Sequence, residues 1–359
     1  MGEYRRLALG VALIVAIFLF IQVSAISLLD PFIDGGLQPV EDPEDPTNSL
    51  FYIAIILVVT GGMLLAFKYE VAGVLRIAIV GAGAWISTYV FQVWLPPTIT
   101  FGGYNALALL FAAALGIVLY VHPEWYVLDA AGALMGAAAA GLFGITFDIL
   151  PAIVLLSVLA VYDAISVYRT EHMLTLASGV MDLKVPVVLV IPMTPGYSFL
   201  DASVPDADDS DASASSEDGN DQSAAGDEDA ERVLRPQSMD DPATADASAS
   251  SDDEQDGDSF ERDALFIGLG DAIIPSILVA SATFFTPPEI ATVLGIPLPA
   301  LGAMLGTFVG LAILLRMVIA GRAHAGLPLL NGGAIGGYLL GALIAGMSLL
   351  DALGLAPYL

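Results

Sequence analysis

The chain contains no cysteine, which excludes disulfides and thiolate metal sites. Histidine is nearly as scarce: His122, His172 and His324 are the only three, too few for a multi-histidine metal centre. No metal and no cofactor is therefore expected. Positive charge is thin as well, with 11 Lys and Arg against 39 Asp and Glu and a net charge of −28. Nucleic-acid binding is disfavoured, because phosphate contacts need a basic surface. Charge of either sign is sparse: 14% of residues are charged, where a soluble domain carries about a quarter.

Apolar residues fill the space, at 57% of 359 residues and a mean hydropathy of +0.78. They fall in nine runs, at 7–29, 49–67, 71–95, 103–121, 125–147, 149–168, 264–285, 298–320 and 327–349. Runs of about 18 or more apolar residues are long enough to span a bilayer. The expected fold is an all-α polytopic membrane protein with nine transmembrane helices. The first run follows Arg5 and Arg6 and ends near Val23-Ser24-Ala25, which has the outline of a signal peptide. Its apolar stretch is longer than the usual ~7–15 residues, so it reads as a retained helix. No internal repeat is evident, which counts against the common transporter architectures.

The basic residues check this count. With the N-terminus in the cytoplasm, the cytoplasmic positions hold Arg5, Arg6, Lys68, Arg76, Arg169, Lys184, Arg232, Arg235, Arg262, Arg316 and Arg322. Those are all 11 of the chain. Missing or inventing one span would scatter them across both faces, against the positive-inside rule. Nine spans with the C-terminus outside follow.

Three regions result: 1–192 with the first six helices and a membrane-proximal segment, 193–263 as an acidic linker, and 264–359 with the last three helices. The linker carries 22 acidic residues and three arginines, the composition of a solvated, disordered cytoplasmic segment. A second acidic cluster runs from Asp30 to Asp45. Acidic excess wherever the chain meets water is the style of salt-loving archaea. Residues 185–191, Val-Pro-Val-Val-Leu-Val-Ile, are too short to span and rich in β-branched side chains. They read as a β segment after helix six, or as a loop packed on the bundle.

A carboxylate in the hydrocarbon region is costly and marks a functional site by default. Two stand out: Asp163 in the sixth run and Asp271 in the seventh. Asp129, Asp148 and Asp351 sit nearer span ends and read as solvated or interfacial. Counted from the cytoplasmic ends of their runs, Asp163 lies about 8 Å deep and Asp271 about 10 Å deep. Antiparallel helices would place them at one level. Two close acids share a proton: the charged one takes a proton from water, and the other protonates a peptide carbonyl and then the leaving amine. The small residues Gly268 and Gly270 would let a helix or a substrate backbone approach.

Tyr162-Asp163 in the sixth run, Gly268-Leu269-Gly270-Asp271 in the seventh and Pro328-Leu329-Leu330 opening the ninth form an ordered set. In this the chain resembles the presenilin and signal-peptide-peptidase family, in its archaeal branch. The family pattern is Tyr-Asp, Gly-x-Gly-Asp and Pro-Ala-Leu. Leu329 stands where the family has alanine, which bears on cleft shape more than on chemistry. The resemblance implies a GxGD-type intramembrane aspartyl protease with Asp163 and Asp271 catalytic. It implies that Tyr162, Gly268, Leu269, Gly270, Pro328, Leu329 and Leu330 meet the substrate. The implied partners are transmembrane-helix substrates and membrane lipid. The implied orientation is that of presenilins, and Val185 to Ile191 would pair with an unwound substrate as an added strand. The competing class is an ion- or proton-coupled transporter or channel using the same two intramembrane aspartates.

Overall fold

The computed structural model describes residues 2–38, 40, 42–69, 72–101, 103–169, 184–193, 197–199, 264–319 and 325–355. Nearly all of the acidic linker expected at 193–263 lies outside the described residues, apart from 193 and 197–199. The described helices are α1 (Gly2–Asp34), α2 (Thr47–Lys68), α3 (Ala72–Trp94), α4 (Ala106–Val121), α5 (Trp125–Thr146), α6 (Ile149–Arg169), α7 (Leu269–Phe285), α8 (Leu298–Ile319) and α9 (Gly326–Ile344), followed by a single turn, α10 (Leu349–Ala352). Seven of these are long and apolar enough to cross a bilayer, while α4 and α7 are shorter apolar helices of 16 and 17 residues. Large apolar side chains point out of the bundle; Val58 on α2 is 74% exposed and Leu57 and Val59 flank it. Water would penalise that surface, and lipid does not. The molecule is a multi-pass membrane protein.

The seventh apolar run is not one helix. Its first part is strand β4 (Ala264–Gly268), and α7 starts only at Leu269. β4 pairs antiparallel with β3 (Val188–Pro192), with Val188 opposite Gly268 and Pro192 opposite Ala264. The β segment expected after helix six therefore exists, and its partner comes from this chain. Ala264 to Gly268 has no polar residue to set a period, so hydropathy alone merges it with the helix that follows. Gly268, with φ −60 and ψ 132, ends the strand and serves as the N-cap of α7. Two-residue strands β1 (Thr100–Phe101) and β2 (Tyr104–Asn105), and β5 (Thr292–Val293) and β6 (Ile296–Pro297), close the loops before α4 and α8. In the second hairpin Leu294 and Gly295 both take positive φ, as a tight turn between twisted strands needs.

Helix α5 lies at the centre, against α1, α3, α7 and β3. Small residues let its neighbours close in: a side chain at Gly132 would press on Leu189 and Leu269, one at Gly136 on Ile21 and Ile273, and one at Gly144 on Ala280. From α1, Ile14, Phe18 and Ile21 fill the same core with no exposed surface, so α1 is an integral part of the bundle.

Helices α8 and α9 make the most intimate pair. Gly302, Gly306 and Gly310 recur every fourth residue on α8, and Gly333, Gly337 and Gly341 do so on α9. A methyl group on Gly302 would strike the Gly337 carbonyl, on Gly306 the Gly333 carbonyl, and on Gly310 the Leu329 carbonyl. Backbones this close gain dispersion and Cα–H···O contacts, each worth about 0.5–1 kcal/mol. The seam holds α9 rigidly, including its first turn, and that turn reaches the two aspartates.

Candidate active site

Asp163 projects from α6 into the bundle and is 7% exposed. Its Oδ2 accepts a hydrogen bond of 3.1 Å from the backbone N–H of Leu327. That N–H belongs to the first turn of α9, where the helix itself supplies no acceptor. Asn331, one turn further along α9, donates to the Leu156 carbonyl at 2.9 Å and ties α9 to α6. Tyr162 is the neighbour on α6 and is 42% exposed, because successive residues turn by about 100° on a helix.

Asp271 sits in the first turn of α7, not two turns inside it, since α7 begins at Leu269. Strand β4 takes up the residues before it that the sequence assigned to the helix. Pro275 lies four residues on and has no N–H, so the Asp271 carbonyl receives no helical hydrogen bond from that position. Asp271 is half-buried. Gly326 borders its carboxylate so closely that a Cβ there would lie 2.9 Å from Oδ2 and 3.1 Å from Cγ and Oδ1. A Cβ on Gly268 would lie 3.5 Å from the same Oδ2. The structure thus brings the two acids together: Gly326 lines Asp271, and the next residue holds Asp163.

The other expected site residues divide by position. Gly270 is exposed and open, and Gly268 is exposed on the strand edge beside Asp271. Leu269 is buried, with its N–H donating to the Val187 carbonyl at 2.9 Å. Pro328 and Leu329 are half-buried in the first turn of α9, a place where proline costs no helical hydrogen bond. Leu330 is fully buried among Leu311, Leu314 and Leu315, so its side chain acts through packing.

Gly326 and Asn331 were given no role of their own from the sequence, and Asp129 was given a different one. Gly326 had a weak signal, a glycine just before the Pro-Leu-Leu string. Asn331 had none. Asp129, read as solvated or interfacial, is instead 6% exposed, and its Oδ1 accepts a 2.8 Å hydrogen bond from the Val190 N–H. The correction has a physical reason: the fifth residue of α5 faces β3, and rotation about a helix axis is not visible in a hydropathy run. Asp148 at the junction of α5 and α6 is half-buried, and Asp351 on α10 is exposed.

Chemically, the site offers two neighbouring carboxyl groups, one backbone N–H held on Asp163 and glycine backbone without side chains in apolar surroundings. Among the described residues no cluster of His, Cys, Asp or Glu is able to hold a metal ion. The family described as signal-peptide peptidase, presenilin aspartyl protease matches residues 15–347. Two solved structures of a presenilin family intramembrane aspartate protease are similar throughout. The one in space group C222 is 30% identical, covers 93% of this chain and 99% of that one, and has a TM-score of 0.58. The one in space group P2 is 30% identical, covers 92% and 96%, and has a TM-score of 0.54. Among curated proteins nothing matches.

Proposed function

This chain belongs to the signal-peptide peptidase and presenilin aspartyl protease family, and from that premise we propose that Asp163 and Asp271 are the catalytic pair of an intramembrane aspartyl protease. Membership supports protease activity over an ion- or proton-coupled transporter. The observation that carries the assignment of the pair is the Gly326–Leu327 peptide. One residue borders the Asp271 carboxylate and the next donates its N–H to Asp163.

The chemistry follows from the pairing. The working form carries one proton across the two carboxyls. The ionised carboxylate takes a proton from a water molecule, and the hydroxide so formed attacks the peptide carbonyl carbon. The protonated carboxyl gives its proton to the carbonyl oxygen, forming a tetrahedral diol. Collapse of the diol breaks the C–N bond, and a carboxyl proton passes to the leaving amine. The Leu327 N–H fixes the orientation of Asp163 through this cycle.

The substrates are transmembrane helices, whose peptide bonds are hidden by side chains and by the helical hydrogen bonds. Such a segment must unwind, and an unwound segment needs partners for its backbone in a dry environment. The β3–β4 pair supplies them. Val190 directs its N–H away from β4, to Asp129, so alternation turns Leu189 and Ile191 toward β4. Among the described residues no strand pairs with the outer edge of β4, at Phe266 and Gly268, and that edge leads to Asp271. Gly270, Tyr162, Pro328 and Leu329, near the two aspartates in the chain, are the residues proposed to meet the substrate there. Nine spans, a cytoplasmic N-terminus and an outside C-terminus put the site near the cytoplasmic face, supported by the placement of all 11 basic residues.

Incubating the purified protein with a single transmembrane-helix substrate and weighing the products tests this reading. Asp163→Ala and Asp271→Ala should each abolish cleavage while membrane insertion and thermal stability survive. Cleavage by either variant at the wild-type rate, or ion flux in place of cleavage, would overturn it.

A further inference from the structure

Asp129 is a third carboxyl group inside the bundle, and the two-aspartate chemistry does not use it. It lies on α5 and is 6% exposed. Oδ1 accepts from the Val190 N–H at 2.8 Å, while Oδ2 is buried with no hydrogen-bond partner among the described residues. A buried acid with one hydrogen bond is an expensive feature to keep for packing alone. Its single bond lands on an element that leads to the site.

The connection is short. Val190 belongs to β3, and β3 pairs with β4 over five residues, from Val188 opposite Gly268 to Pro192 opposite Ala264. The pairing extends by one more bond, from the Leu269 N–H to the Val187 carbonyl at 2.9 Å. Leu269 is the first residue of α7, and Asp271 is two residues further on. One turn along α5 from Asp129, Gly132 lets the side chains of Leu189 and Leu269 rest directly on the helix, each about 3.5 Å from where a Cβ would stand. Glu124, the N-cap of α5, holds the chain beyond β3: it accepts from the Ser198 hydroxyl at 2.6 Å and from the Phe199 N–H at 3.0 Å. One helix therefore grips β3 by its outer edge, by its inner face and by its exit.

Val-Leu-Val-Ile-Pro and Ala-Leu-Phe-Ile-Gly are apolar on both faces, so no alternation of polar and apolar side chains sets the register of this two-stranded sheet. A slip here would flip the pleat and carry Gly268, Leu269 and Asp271 with it. Resting on the assignment of Asp163 and Asp271 as the catalytic pair, we propose that Asp129 is a positioning residue: by accepting the Val190 N–H it sets the register of β3 against β4, and so places Asp271 against Asp163.

The test uses the full-length protein in detergent micelles or vesicles with a transmembrane-helix substrate. Asp129→Asn keeps an acceptor oxygen and should retain cleavage within a few-fold. Asp129→Leu removes the acceptor while keeping a side chain branched at Cγ. It should lower kcat by roughly 10- to 100-fold with KM little changed, since a displacement of about 1 Å costs on the order of a hundredfold. The absence of native cysteine allows a second measurement that does not depend on folding stability. Pro192 and Ala264 face each other as a non-hydrogen-bonded pair, the closer kind across two strands. Adding Pro192→Cys and Ala264→Cys to Asp129→Leu should restore kcat when the disulfide forms and lose it again on reduction. Wild-type kcat in Asp129→Leu would overturn the proposal, as would equal loss in the Asn variant with no recovery on oxidation. Asp271→Ala, run alongside, separates the two claims: its activity would sink the catalytic pair itself, and its inactivity leaves Asp129 judged by its own variants.

Discussion

Adding one methyl group at Gly326 perturbs the site with little cost to the fold. The new Cβ would lie 2.9 Å from the Asp271 Oδ2 and 3.1 Å from Cγ and Oδ1. Ordinary van der Waals contact starts near 3.4 Å, so the carboxylate must retreat by about 0.5 Å. The atoms in the way are the end of a side chain, not backbone, and Gly326 has no positive φ to defend. Stability should therefore change by less than about 1 kcal/mol. Catalysis should suffer more. If a 1 Å misplacement costs on the order of a hundredfold, half of that costs about tenfold, and kcat should fall by roughly 10- to 100-fold, or about 1.4–2.7 kcal/mol. Steady-state cleavage by Gly326→Ala gives kcat and KM, and a melting curve gives stability. Gly336→Ala is the control, since a Cβ there meets nothing within 4 Å. Wild-type kcat in Gly326→Ala, with its melting curve unchanged, would refute the argument that Gly326 sets the carboxylate position.

The remaining predictions concern packing, acid and the linker. Gly306→Ala should destabilise the bundle by about 1–3 kcal/mol, because its methyl meets the Gly333 carbonyl, and a drop in melting temperature absent from Gly336→Ala would show it. For Glu124, burial pushes the carboxyl up, but the bonds from Ser198, Phe199 and Trp125 and the neighbouring His122 outweigh it and leave it below the ordinary value of 4.5. A lowered folded-state value means stability that is present above pH ~4.5 and is lost as pH falls through the lower value. Hydrogen exchange at Ser198 and Phe199 should accordingly rise on acidification, and Glu124→Gln should flatten that dependence. Deleting residues 205–255 should leave cleavage largely intact, as expected of a segment dominated by Asp, Ser and Ala; loss of catalysis in a folded deletion variant would count against that.

Much of this was legible in the residues because membranes impose a coarse rule: backbone must be satisfied within each span, so apolar runs and helices nearly coincide. The runs around α1 to α6 and α8 to α9 fall where the helices do. The acids Asp163 and Asp271 stood out for the same reason, being polar where polarity is costly. The failures share a cause. Ala264 to Gly268 is as apolar as a span, and what makes it a strand is the partner β3 on the far side of the acidic linker. Asp129 was misplaced because its depth could be counted but its direction could not. The four-residue glycine spacing on α8 and α9 was present in the sequence, yet its meaning needs two helices at once. The role of Gly326 depends on Asp271, which precedes it by more than 50 residues.

The central claim is that two carboxyls share one proton at the point of cleavage. Cleavage of a transmembrane-helix substrate should be measured from about pH 4 to 9 for the wild type, Asp163→Asn and Asp271→Asn. The wild type should give a bell, falling on the acid side when both groups are protonated and on the alkaline side when both are ionised. Each asparagine variant keeps the shape of the site but cannot supply the singly protonated pair, and should be inactive across the whole range. Cleavage by either variant with the wild-type profile would contradict the two-aspartate account.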